Sequence, residues 1–292
     1  EANYLRSLEA HFQRHPQAPA CAIYFEHPLE GPLPGTVYEA ITVYELHLSY
    51  YLQGLRYAGF PHAHHTVGSC MAVRAGAYRK QGGMNRRQAG EDFYFLHKLI
   101  PLGGFAELTE TTVHPSPRAS ERVPFGTGRA MRDSLAGQPP GTYPLEAFLD
   151  LKAFFNLAPA LYDCAYESLP ALLGQLSAPM RAFLDAQRFE DVLVEIRCNT
   201  ATKGAFLKRF FRRFDGFQTM KFINYCRDQV YGERAVAPEA HRLLGLLINQ
   251  SNPSAPAPSA RELLLAYRRL ERNSAAAKAS AGCEMNRVLS DE

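Results

Sequence analysis

Apolar positions follow two regimes along the chain, and the change comes near residue 136. Before it, helical and strand-like spacings alternate. Residues 4–15 set Tyr4, Leu5, Leu8 and Phe12 on one side of a helix. "ACAIYF" (20–25) is an unbroken apolar run of strand length, and the prolines and glycines of "HPLEGPLPG" mark a loop. A long tyrosine-rich helix is predicted over 38–58. A strand over 66–73 follows, then a short helix from 75 that stops at Gly82-Gly83. A helix at 91–100 and an extended stretch at 105–113 complete the alternation, which predicts a layered α/β unit. Beyond "AGQPPGTYP" (136–144) the pattern gives helices at 145–162, 167–195, 202–231 and 238–249, with no strand. "SNPSAPAPSA" (251–260) reads as a linker, "RELLLAYRRLER" as a last helix, and the rest as a disordered tail. The expected organisation is an α/β unit over 1–135, a helical domain over 145–250, and a linker, helix and tail over 251–292. No internal repeat is present.

Composition narrows the class. With 292 residues, 46% of them hydrophobic, the chain can bury a core of two-domain size. A net charge of +3 argues against a nucleic-acid partner. No apolar run reaches the length of a membrane span. The six cysteines (21, 70, 164, 198, 226 and 283) are scattered without a Cys-x-x-Cys pair, which points to a reducing compartment, with the cytoplasm as default. The chain opens at Glu1 inside a helix-like stretch and is expected to be the later part of a longer protein.

Chemistry gathers first at "QAGEDFYFLHKLI" (88–100), where Glu91 and Asp92 follow a glycine and open a helix. Acids in a first turn are stabilised by the helix dipole and its free N–H groups, so a capping role accounts for them. A fixed carboxylate there also suits a general base within reach of a hydroxyl. The wider run "VGSCMAVRAGAYRKQGGMNRRQAGEDFYFLHKL" goes strand, short helix, glycine pair, polar loop and acidic pair. In that order it resembles the acceptor half of inverting, A-type glycosyltransferases of family two, over roughly residues 1–130. The resemblance implies a Rossmann-like layered unit followed here by an all-α region, with Asp92 as catalytic base and Glu91 beside it. It groups Gly82 and Gly83 with the substrate site. It further implies a nucleotide-sugar donor, a glycan or lipid-linked acceptor, and a divalent metal (Mg or Mn) held by an Asp-x-Asp motif. No Asp-x-Asp occurs in the 292 residues, so the donor half is expected upstream. The alternative is a non-catalytic binding or scaffold protein with a degenerate domain of this kind.

Three further constellations carry weaker signals. "TVHPSPRASERVPFGTGRAM" (112–131) collects His114, Arg118, Arg122 and Arg129 in a loop-like segment. Arg118 and Arg122 suit a diphosphate by guanidinium geometry, His114 is a candidate metal ligand, and a plain structural loop accounts for the segment equally well. In "HAHHTVGS" (62–69), His65 and Ser69 are candidates for acceptor contact, against local polar packing. Residues 202–222 place Phe206, Phe210, Phe214 and Phe217 on one face and five basic residues on much of the other. Such a helix suits peripheral contact with the inner face of a membrane; the competing reading is a core stripe with a solvated basic face.

Overall fold

The computed structural model describes residues 1–86, 90–121, 126–249 and 257–273. It is a mixed α/β structure, with a small three-stranded mixed sheet in the N-terminal part and a largely helical region after it. The chain divides into two compact units, one of residues 1–49, 64–140 and 256 onward, the other of 50–63 and 141–255.

In the first unit, α1 (Tyr4–Arg14) leads into β1 (Ala20–Phe25), and α2 (Gly35–Tyr57) follows, its residues from Tyr50 on belonging to the second unit. Next come β2 (Met71–Val73), α3 (Ala75–Lys80), α4 (Glu91–Leu99), β3 (Ala106–Val113) and α5 (Thr127–Leu135). The strand order is β2-β1-β3, with β1 antiparallel to β2 and parallel to β3. All six residues of β1 are buried, which is why it reads as a continuous apolar run rather than an alternation. Its side chains divide between two faces. Ala20 packs with Phe95, Leu96 and Leu99 of α4, whereas Cys21 and Ile23 pack with Leu108 and, from α1, Tyr4, Leu8 and Phe12. Each large apolar side chain that α4 buries contributes about 1.5–3 kcal/mol. Leu5, expected on the inner side of α1, is 76% exposed. The buried face follows the i, i+4 row of Tyr4, Leu8 and Phe12, with His11 beside it.

The second unit holds α6 (Leu145–Asp163), α7 (Leu169–Leu173), α8 (Ala178–Ala186), α9 (Phe189–Cys198), α10 (Lys203–Arg213), α11 (Gly216–Tyr225) and α12 (Val236–Leu247). Its core is aromatic. The ring of Phe154 lies 5.3 Å from those of Phe189 and Phe210 and 4.9 Å from that of Phe214.

Several expectations change here. The single helix over 167–195 is a 3₁₀ turn, Tyr166–Ser168, followed by the three helices α7, α8 and α9. Gly174 ends α7, Ser177 caps α8 by accepting from Met180 N–H with Pro179 in the first turn, and Arg188 turns left-handed (φ 51°) before α9. The helix over 202–231 breaks at Asp215, whose carboxylate accepts from the N–H groups of Phe217 and Gln218 and starts α11. After α11 the chain widens into a π-helix, Cys226–Tyr231. The region expected to lack strands has a short antiparallel ladder, β4 (Gly141–Thr142) with β5 (Arg234–Ala235). The segment 112–131, read as loop, includes the start of α5. The strand at 66–73 shortens to three residues because Gly68–Cys70 forms a 3₁₀ turn. Among the described residues no helix is long and apolar enough to cross a membrane.

Candidate functional site at the sheet rim

The sheet register sets up one chemically occupied edge. β1 and β3 run parallel and finish at Phe25 and Val113, while β2 runs the other way. The turn that begins β2, Gly68–Cys70, therefore lies at the end where β1 and β3 finish. In open α/β sheets this rim, at the carboxyl ends of the parallel strands, is where ligands bind.

Asp92 is anchored to that turn. Its Oδ2 accepts from Gly68 N–H at 2.8 Å, and its Oδ1 accepts from Phe93 N–H at 2.7 Å. The close approach requires glycine at 68, since a Cβ there would stand 2.9 Å from Asp92 Oδ2 and 3.0 Å from its Cβ. Helix α4 itself starts from Gly90 in a left-handed conformation (φ 75°), with no side-chain cap. Glu91 and Asp92 are the first two helical residues, where the dipole favours a negative charge. The Asp92 side chain is half-buried and fixed. The Glu91 side chain has no hydrogen-bond partner among the described residues.

The charge on Asp92 acts on Tyr44 of α2, as does the side chain of Thr127 at the start of α5. Burial pushes the Tyr44 phenol above its ordinary value; the Thr127 side chain opposes that and the charge of Asp92 adds to it. The hydroxyl is thus protonated and neutral at physiological pH. Sequence reasoning missed Tyr44, Gly68 and Thr127, whose only signals are a tyrosine-rich helix and glycines beside a strand and a helix start.

The other sequence candidates divide. Ser69 is exposed on the turn that binds Asp92, its Oγ 3.4 Å from Cys70 Sγ. Gly82 and Gly83, with φ of 73° and 69°, close α3 through Gly82 N–H to Arg79 O and Gly83 N–H to Tyr78 O. His65 is largely enclosed, its Nε2 3.2 Å from Glu271 and its ring edge-on to Phe25 at 5.0 Å. His64 pairs with Glu107 instead, so the histidine cluster divides between partners. His114 is exposed at the rim, with Nδ1 3.1 Å from the carbonyl of Glu26. Arg118 is exposed in the segment after it, which returns to α5 through Ser120 N–H to Gly128 O. Arg122 lies outside the described residues. Arg129 is ion-paired to Asp133 within α5.

Among the described residues no three His, Cys, Asp or Glu side chains gather in a way that holds a metal ion. Among those residues His114 has no second and third ligand beside it, and they do not by themselves fit Mg or Mn.

Behind the rim lies a charged network that the sequence did not announce. Glu45 of α2 is 2% exposed. Its Oε2 faces the backbone N–H and ring Nδ1 of His27 at 2.7 and 2.8 Å, and its Oε1 accepts from Arg268 Nε at 2.7 Å. Arg268 also reaches His27 O and Glu26, and Arg272 pairs with Glu26 while stacking over Tyr24. Both arginines come from the terminal helix (260–273), which belongs to this unit. A cavity of about 630 Å³, lined by Pro19, Arg74, Lys80 and Leu102, opens by the start of β1, at the end of the sheet opposite Asp92.

Compared with known proteins, the chain matches no family model, no curated protein and no solved structure.

Proposed function

We propose that the chain is the acceptor-side part of an inverting glycosyltransferase and that Asp92 is its base. In the reaction the Asp92 carboxylate takes the proton of an acceptor hydroxyl as that oxygen bonds to the anomeric carbon of a nucleotide sugar. The bond from that carbon to the nucleoside diphosphate breaks with inversion. The observation that carries this reading is the fixed Asp92 carboxylate at the carboxyl-end rim of the parallel strands. Each of its oxygens accepts one backbone N–H and keeps a second lone pair for a substrate proton. Tyr44, which feels the charge of Asp92, is a candidate for orienting a polyhydroxylated acceptor. Ser69 and Arg118, exposed on neighbouring segments, are the remaining candidates for substrate contact. On this reading the nucleotide and its metal are held by residues outside these 292, since no Asp-x-Asp occurs among them.

One observation favours a second reading. Both Asp92 oxygens are engaged by backbone N–H groups, which is also what a purely structural carboxylate does, as in a non-catalytic binding domain. Asp92→Asn separates the two. In the longest natural reading frame containing these residues, given a panel of nucleotide sugars with Mg or Mn, a base predicts nucleotide release slowed roughly 10²–10⁴-fold or more in an intact fold. Undiminished release together with a lowered melting temperature would leave only the structural role.

A further inference from the structure

We propose that the second unit docks on an anionic lipid surface through the solvent face of α10 and the first turns of α11. Residues 203–221 hold six basic side chains and one acid, a net charge of +5, whereas the whole chain carries +3. The cationic charge is therefore concentrated in one short stretch, and the remainder of the chain is slightly acidic.

The packing decides which side of the stretch is available. Phe206, Phe210 and Phe214 are at most 5% exposed and belong to the aromatic core, so the apolar stripe is not the contact surface. Lys203 and Arg209 are committed to Asp163 and Glu195, and Asp215 caps α11. Lys208 and Arg212, one helical turn apart and opposite the buried phenylalanines, are exposed and have no acidic partner among the described residues. Arg213 and Lys221 are exposed as well, Arg213 towards the phenylalanine side of α10 and Lys221 on α11.

Phe217 identifies the kind of surface that fits. It is the one phenylalanine of the four that escapes the core, 37% exposed, with Lys221 Nζ 4.5 Å from its ring centre. An exposed ring beside lysine, five residues along the chain from Arg212, matches the headgroup level of a bilayer, where aromatic rings settle and cations meet lipid phosphates. A nucleic-acid duplex, its bases already stacked inside, would use the cations and offer the ring no base to stack on.

The test is sedimentation of the full chain with phosphatidylcholine vesicles, with and without an equal part of phosphatidylglycerol, over a range of salt. Binding is expected only with the anionic lipid and falls as salt rises. Lys208→Gln with Arg212→Gln lowers the partition coefficient roughly 30-fold, from about fivefold per basic residue near such a surface. Phe217→Ser weakens it further, whereas Arg79→Gln with Lys80→Gln, exposed in the first unit, leaves it unchanged. Equal binding to neutral vesicles, or an unaltered Lys208/Arg212 double variant, overturns the proposal. So does tighter binding to a short DNA duplex at the same salt, which would assign the patch to nucleic acid.

Discussion

Glu45 carries more of the first unit than any residue at the proposed site. Burial opposes its ionisation, but the hydrogen bonds from His27 and Arg268 and the charge of Arg268 outweigh that and hold the carboxyl below its ordinary 4.5. A depressed carboxyl contributes stability that is present above the unfolded value and is lost as pH falls through the folded one. Acid unfolding of the wild type should therefore draw on Glu45 below about pH 4.5. Arg268→Ala leaves a buried carboxylate without its cation and is expected to cost about 3–5 kcal/mol at neutral pH. Burial is then opposed only by the hydrogen bonds from His27, so the carboxyl rises relative to the wild type and the variant should lose less stability on acidification than the wild type does. Urea unfolding of both proteins across pH 3–7 checks magnitude and sign together. Asp92 was legible at this scale because an acidic pair after glycine at a helix start is a local signal. Gly68 was not, since its importance comes from a carboxylate 24 residues away.

At the scale of elements, the periodicity found most helices and the central strand, and it failed where local chemistry interrupts a continuing apolar pattern. Asp215 stops one predicted helix and starts another while Phe210, Phe214 and Phe222 stay in a single core. Periodicity registers the core and passes over the cap. Packing between elements shows in two glycines of the second unit. Gly54 of α2 has no room for a side chain, because a Cβ would lie 2.7 Å from the ring of Phe148, itself fully buried on α6. Gly54→Ala gains up to about 1 kcal/mol of helix propensity and loses more to overpacking, for a net destabilisation of about 1–2 kcal/mol. Gly204 in the first turn of α10 has nothing within 4 Å of its would-be Cβ. Gly204→Ala should stabilise by about 0.5 kcal/mol or less. Thermal melts of the two variants should move in opposite directions.

The molecule as a whole was legible as an α/β part followed by helices, but not in its closure. Leu263, Leu264 and Tyr267 of the terminal helix are at most 1% exposed, and Arg268 of the same helix meets Glu45 across 223 residues. Neither contact leaves a trace in local spacing, since the helix alone reads as an amphipathic stretch after a linker. A chain ending before residue 257 loses those three apolar side chains, on the order of 5 kcal/mol, and strands the Glu45 charge. It is expected to keep a cooperative melt in the second unit while amide protection of β1 collapses, which hydrogen exchange resolves by segment.

The separation of Glu45 from Arg268 also has a consequence in time. Synthesis proceeds at about 5–20 residues per second, so the two ends of that ion pair, 223 residues apart, leave the ribosome roughly 11 to 45 seconds apart. During that interval α2 and the end of β1 are in the cell with an uncompensated carboxylate and an uncovered apolar surface. The second unit, whose segments have all emerged by residue 255, can fold first, so the order of maturation reverses the order in which the chain begins.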